Sequence, residues 1–393
     1  MFDPNTDPFA YYRIIGGALA LLIVFLGAVE AWRMWTHPAC RDFIAFWGAA
    51  KLAIGGSPAL AYDPAVLHKL QTSVASFGPH ESMPFPYMPA FLLLVLPFGL
   101  LSYPAAMTVW ICLTLVAYLV AVKRLVPDAG LLALAFPPIV VNIVVGQNGF
   151  LTAALFIGAL ALLDRRPFLA GLLIGCLIFK PQLGLLFPLA LLAERRWRAI
   201  AGAALSSIGV TLSGVLAFGP QTFLAWIREL PLFASIARDG TVGWVKLTSI
   251  YAAGRQAGLD AGPAFGLHVV VLCVAAAVVW RVWRSESDRL AKAAVLACAT
   301  SLSSTYLFLY DQLILIVPFF WLARQRTHPA ILGALWCLPI ISIAQNAAPR
   351  SPVNLNPIVP VLLLALIVWK MRRDKGVPAV IATDTSPATL QAA

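Results

Sequence analysis

The sequence predicts an all-α integral membrane protein, and three observations carry that prediction. Of 393 residues, 61% are hydrophobic and only 11% charged, whereas soluble domains run nearer half apolar and a quarter charged. Apolar runs recur along the whole chain, several of them near the roughly twenty residues that cross a bilayer core. The basic residues behind the net charge of +11 sit in short clusters between those runs. That is the placement of the positive-inside bias, not of a nucleic-acid surface, so no nucleic-acid partner is expected.

The first run, residues 14–32, follows Arg13 and continues without a small-residue cleavage site, so it reads as a span and not as a cleaved signal. A polar, aromatic, proline-punctuated stretch follows, running from Cys40 to Pro89. Residues 90–101 are apolar but short, and residues 104–122 form a full span closed by Lys123-Arg124. Beyond this point, basic and nearly uncharged connections alternate. Runs at 131–146, 150–163, 168–179, 183–193, 199–218, 264–280, 293–309, 313–322, 331–343 and 353–369 alternate their connections between Asp164-Arg165-Arg166, Glu194 to Arg198, 281–292 and Arg324-Gln325-Arg326 on one side, and Gly146 to Gly149, Lys180-Pro181-Gln182 and Tyr310-Asp311-Gln312 on the other.

Parity then assigns residues 90–101. If the basic connections are cytoplasmic, the chain crosses once between Asp42 and Lys123, so 90–101 lies on or dips into the outer surface, as its length also favours. The expected organisation is one transmembrane domain over 1–375 with about twelve spans and a cytoplasmic tail at 376–393, disordered by composition. Residues 33–103 form a first extracytoplasmic loop and 219–262 a second.

On this topology Asp42, Gln147-Asn148, Lys180, Tyr310-Asp311 and the loop around Lys246 to Arg255 collect at the outer boundary. A carboxylate there, partly shielded from water, can take a proton from an attacking hydroxyl. A nearby cation can bind a phosphate leaving group, and an ionised residue in an apolar hairpin, such as Lys180, is costly unless paired or wet. Each has a plainer reading. Asp42 can cap the helix that begins at Phe43, and Asp63-Pro64 reads as a helix start. Gln147-Asn148 between glycines suits a turn, Lys180 can snorkel, and Asp311 can pair with Lys180 or Arg350. The aromatics Phe43, Phe46, Trp47, Phe85 and Tyr87 read mostly as interfacial anchors. His68 and His80 lack ligand spacing, and no metal or cofactor site is expected. The six cysteines are scattered, with no C-x-x-C spacing, and read as packing residues.

An ordered set of motifs resembles the bacterial polytopic glycosyltransferases of family 87, the DUF2029-type proteins that include polyprenyl-phosphate-mannose-dependent α-mannosyltransferases. The set comprises Asp42-Phe43 with Phe46-Trp47, Tyr62-Asp63-Pro64, Phe85-Pro86-Tyr87-Met88-Pro89, Gly146-Gln147-Asn148, Lys180-Pro181, Arg195 to Arg198, Leu247 to Tyr251 and Tyr310-Asp311, over residues 40 to 320. Two positions depart: Met88 stands where the family often has proline, and Gln312 where it often has histidine.

The resemblance implies a GT-C fold with surface-lying helices in the first outer loop. It implies a hexosyltransferase, mannose first, taking sugar from a polyprenyl-phosphate donor to a lipid or glycan acceptor outside the cell membrane. By position, Asp42 is its base, Lys180 a donor-phosphate ligand, and Gln147 and Asn148 line the site, with Tyr87, Tyr310 and Asp311 as further candidates for substrate binding. A transporter or lipid flippase would place ionisable residues near span centres or show repeated halves. An O-antigen ligase or polymerase would carry its large outer loop late in the chain.

Overall fold

The computed structural model describes residues 10–77, 83–347 and 353–376. Within them the chain is helical, with only two isolated β-bridges, Ala39 to Ser76 and Leu247 to Phe308. In order the helices are α1 (Ala10–Thr36), α2 (Phe43–Ile54), α3 (Pro64–Thr72), α4 (Ala90–Val95), α5 (Tyr103–Leu125), α6 (Pro138–Val145), α7 (Gly149–Leu162), α8 (Pro167–Cys176) and α9 (Pro181–Gly184). They continue with α10 (Phe187–Ala193), α11 (Trp197–Asp239), α12 (Ile250–Gln256), α13 (Ala261–Trp283), α14 (Arg289–Leu302), α15 (Ile316–Arg324), α16 (Pro329–Ala347) and α17 (Ile358–Gly376). The tail from residue 377 onward, Arg350 and His80 lie outside the described residues.

Four helices among the described residues are long and apolar enough to cross a membrane: Gly16–Thr36, Tyr103–Leu125, Trp197–Ile236 and Ala261–Trp283. They turn large apolar side chains outward, among them Leu21, Phe25, Leu113, Val116, Leu216, Val270 and Val274. In water such surface would be a liability, and in lipid it is the contact face, so the chain is an all-α membrane protein. Several expected spans are instead short, broken helices. Residues 131–146 give a 3-10 segment and the eight-residue α6, while 168–193 divide into α8, α9 and α10 around Lys180. At 1.5 Å per residue none of these pieces reaches the roughly 30 Å of a bilayer core. Their free ends are tolerated because they are buried in protein, packed in the main core with α7, α14 and α15.

Helices α8 and α11 meet through glycines. A β-carbon on Gly171 would fall 2.1 Å from the Ala199 carbonyl oxygen, and one on Gly202 would fall 2.3 Å from that of Phe168. Small residues let membrane helices approach to backbone contact in this way.

The second long polar segment, residues 219–262, carries more helix than its polarity suggested. Helix α11 breaks at Gly219, at φ 78 and ψ 162, and resumes at Pro220. Pro is pre-set for a first helical turn, and Phe223, Trp226, Ile227 and Leu230 then recur at helical spacing. Trp226 donates to the Pro86 carbonyl at 3.1 Å, seating this half of α11 on the Phe85 to Pro89 segment.

The aromatic residues of the first loop are core rather than interfacial anchors, which corrects the sequence reading. Phe43, Phe46, Phe85, Phe91, Tyr103 and Trp110 are buried together with Trp47, Tyr62 and Tyr87. Their rings interlock largely edge to face, as in Phe46 against Tyr87 (5.4 Å) and Phe91 (5.2 Å). Helices α2, α4 and α5 converge there, so this loop has a packed core of its own, and each such ring pair adds about 0.5–1.5 kcal/mol beyond burial. Residues 90–100 belong to that core as α4 and a 3-10 turn, too short to span.

Three of the basic connections, around Asp164, Glu194 and Arg289, meet at the end of α7 away from Asn148. Arg289 bonds both Asp164 (2.7 Å) and Glu194 (3.1 Å), Arg196 bonds the same two carboxylates, and Lys292 closes on Glu194. Burial works to raise the Glu194 carboxyl, but the hydrogen bonds from Lys292 and Arg196 and the Arg289 charge outweigh it and hold the pKa below the usual range. Helix α7 begins beside Asn148 and ends beside Asp164. Its 14 residues separate the two ends by about 21 Å of helix rise.

Candidate active site

Asp42 occupies the position before α2, where an aspartate ordinarily caps the helix. Its carboxylate makes no hydrogen bond to the helix amides, and its backbone is already α-helical at φ −53 and ψ −31. Asp63 behaves in the opposite way. It is exposed, extended at φ −90 and ψ 111, and accepts from the amides of Ala65 (2.9 Å) and Val66 (3.1 Å). One aspartate is therefore a cap, and the other is free for something else.

Asp42 instead lies near the Gln147 side chain, whose polar interaction favours its ionised form. The orientation of that amide follows from its other partners. Gln147 Oε1 accepts from the Tyr87 hydroxyl (3.2 Å) and from the Asn148 amide (3.0 Å), which leaves Nε2 to face the carboxylate.

The turn that carries Gln147 depends on two glycines. Gly146 has φ 68, and a β-carbon on it would fall 2.7 Å from that of Phe43. Gly149 lies so close to the Tyr310 carbonyl that a β-carbon would meet it at 2.6 Å. Asn142 completes the turn, accepting from the Gly149 amide at 3.0 Å. Trp110 donates to the Gln147 carbonyl at 3.3 Å. The residues Gly146 to Gly149 thus form a tight hinge between α6 and α7, pressed between the Asp42 segment and the Tyr310 turn.

Lys180 sits where α8 ends and α9 begins, 6% exposed. Its ammonium donates to Asp311 at 2.5 Å and to Asn148 Oδ1 at 3.3 Å, and lies 4.9 Å over the Tyr310 ring. Asp311, only 2% exposed, accepts on its other oxygen from the Phe308 amide at 3.1 Å. The seven residues singled out in the sequence therefore meet in one place. Asp42, Gln147 and Tyr87 form one chain of contacts, Lys180, Asp311 and Tyr310 another, and Asn148 joins the two. Of the open pairings for Asp311, the structure has the one with Lys180.

Electrostatically the site is poised at Asp42. The packed protein around the partly exposed carboxyl strips away water and pushes its pKa above the ordinary aspartate value. The Gln147 side chain and the charges of Lys246, Lys180 and Arg41 pull downward without overcoming burial. A carboxylate so placed is a stronger base than a solvated one, while the nearby cations keep its ionised form accessible. Tyr87 is pushed up as well, first by burial, and so remains a neutral hydroxyl that donates to Gln147.

Several contributors carried no signal in the sequence reading. Glu30, buried near the end of α1, accepts from Arg41 Nη2 at 2.6 Å and Nε at 2.8 Å, anchoring the residue before Asp42. Tyr306 lies close enough for its hydroxyl to feel both Asp42 and Asp311. Lys246 enters from the second long loop, beside the Leu247 to Tyr251 motif. Asn354 and Asn356 hold that loop through the carbonyls of Trp244, Leu247 and Val245, each at 2.8 Å. The loop around Lys246 to Arg255 was expected at this boundary from the sequence, without a role for the lysine. The Asn-x-Asn pair, in a connection near the end of the chain, carried no such signal. Among the described residues no three His, Cys, Asp or Glu side chains cluster as metal ligands.

No curated protein and no solved structure matches the chain. The sequence profile of glycosyltransferase family 87 does match, over residues 85–309. That stretch includes Tyr87, Gln147, Asn148, Lys180 and Lys246, while Asp42, Tyr310 and Asp311 lie outside it. The match covers more than half of a helical membrane chain, and the protein belongs to glycosyltransferase family 87.

Proposed function

We propose that the protein transfers a hexose, mannose as the first candidate, from a polyprenyl-phosphate-linked donor to a lipid or glycan acceptor on the extracytoplasmic side of the cell membrane, with Asp42 as general base. The observation that carries this reading is the freedom of the Asp42 carboxylate. It stands at a helix start without capping the helix, lies near Gln147, and is raised in basicity by burial.

In the reaction an acceptor hydroxyl attacks the anomeric carbon while Asp42 takes its proton. The bond from that carbon to the phosphate oxygen breaks, and its electron pair leaves with polyprenyl phosphate. The phosphate gains one negative charge, which cations at the site stabilise most as the bond breaks. The separation between Asp42 and the basic ion network at the other end of α7 supports an outward-facing site within a GT-C arrangement of about twelve crossings, some made by paired short helices.

Donor class is tested in proteoliposomes. Transfer from a synthetic polyprenyl-phosphate hexose is expected, and transfer from a nucleotide sugar alone would overturn the donor assignment. Sidedness is tested with single cysteines at Gln182 and Gln325 in a background without native cysteines. Position 182 should react with an impermeant reagent from outside and 325 only after permeabilisation; reaction of 325 from outside would reverse the topology.

A further inference from the structure

We propose that Lys246 is the cation that meets the donor phosphate, and that Lys180 is held back by Asp311 as part of the frame of the site. The inference rests on the donor class proposed above and assigns the residue that reads it.

The two lysines differ in how far their charge is already spent. Lys180 is buried, and its ammonium is shared between Asp311, Asn148 and the Tyr310 ring. Drawing it onto a phosphate would leave the Asp311 carboxylate, buried and bonded only to the Phe308 amide, without its counter-charge. A buried carboxylate stripped of its partner is strongly unfavourable. The pair is also close to neutral as a unit, so it offers an incoming anion little net attraction. Lys246 has none of these ties. It is exposed, and no ion pair engages it among the described residues.

Its position is nevertheless well defined. The Thr248 amide donates to the Leu307 carbonyl at 2.7 Å and Ser249 Oγ to the Thr305 carbonyl at 2.8 Å, so residues 247–249 lie along the strand-like approach to Tyr310 and Asp311. Asn354 and Asn356 bind the carbonyls on both sides of Lys246. Trp244 is fixed by Arg255 stacked at 5.2 Å and by Tyr251 at 5.7 Å. A backbone held on both sides thus presents an exposed ammonium that no ion pair engages among the described residues. Leu247 bridges Phe308, three residues before Asp311, which sets Lys246 next to the segment that carries the Lys180 partner, and its charge favours the ionised form of Asp42.

This arrangement suits the charge change of the reaction. The donor phosphodiester carries one negative charge and the departing polyprenyl phosphate approaches two, while the acceptor proton goes to Asp42. A cation without a prior partner gains most from that increment, and so contributes more to the transition state than to the bound donor.

The test uses the full-length protein in nanodiscs with polyprenyl phosphate as the probe, titrated through the fluorescence of the nearby tryptophans, alongside sugar transfer from a polyprenyl-phosphate hexose. Lys246→Gln should weaken polyprenyl phosphate binding and lower kcat/KM by about 10- to 100-fold, the size of one charge-assisted hydrogen bond. Lys246→Arg should retain both within a few-fold. Binding by Lys246→Gln within twofold of wild type would overturn the proposal while leaving the transferase reading intact. A wild-type protein that binds polyprenyl phosphate through Lys246 but moves no sugar from its hexose ester would sink the donor reading alone. Failure of the wild type to bind polyprenyl phosphate at all would overturn both.

Discussion

Exchanging the two aspartates of the first long loop, one at a time, should give opposite results in activity and stability. Asp42→Asn keeps the shape of the side chain and an oxygen for the Gln147 amide but removes the base, so transfer should fall by about 10²- to 10⁴-fold, the usual contribution of general base catalysis. Stability should not fall with it. The folded pKa of Asp42 lies above its ordinary value of 3.8, chiefly through burial. Its contribution to folding is therefore complete below that value and is lost as pH rises through the folded pKa, so at neutral pH the ionised carboxylate burdens the fold. Asp42→Asn should melt at the same temperature as wild type or higher, the signature of a group retained for function against stability. Asp63→Ala should do the reverse. It removes acceptors for two amides at 2.9 and 3.1 Å on an exposed helix start, a loss of about 1 kcal/mol, with transfer preserved. Both variants can be followed by tryptophan fluorescence during heating and by sugar transfer in proteoliposomes. Normal transfer by Asp42→Asn, or loss of transfer confined to Asp63→Ala, would refute the assignment of the base.

Three further outcomes follow from the same geometry. The acid limb of the kcat/KM profile should lie above the ordinary aspartate range, and Gln147→Leu, by removing that polar interaction with the carboxylate, should move it further up; an unshifted limb in that variant would show that Gln147 does not act on Asp42. Lys180→Met should destabilise the protein by about 3–5 kcal/mol by leaving Asp311 buried and unpaired, and adding Asp311→Leu should recover part of that loss, a pattern readable in a double-mutant cycle of denaturation midpoints. Gly146→Ala meets both a left-handed φ of 68 and a β-carbon of Phe43 at 2.7 Å, so it should cost on the order of 1–3 kcal/mol and impair transfer by displacing Gln147; wild-type melting and activity would contradict the close packing described here.

Hydropathy and charge order alone determined that this chain is a helical membrane protein, which connections share a face, and which polar residues lie together at one end. These are properties of periodic one-dimensional patterns, because the bilayer imposes a length and a sidedness on every apolar run. The ordered motifs likewise marked Asp42, Gln147, Asn148, Lys180 and Asp311 before any distance was known. What each does in the site was beyond reach. Asp42 and Asp63 both stand before a helix, and only the backbone angles and the Gln147 contact separate the proposed base from the cap. Lys180 and Lys246 are both lysines in polar connections, and only the position of Asp311, 131 residues along the chain from Lys180, leaves one paired while no ion pair engages the other among the described residues. The first-loop aromatics likewise read as membrane anchors until α2, α4 and α5 were seen to close over them. Pairing and desolvation depend on neighbours distant in sequence, so the tertiary structure decided them.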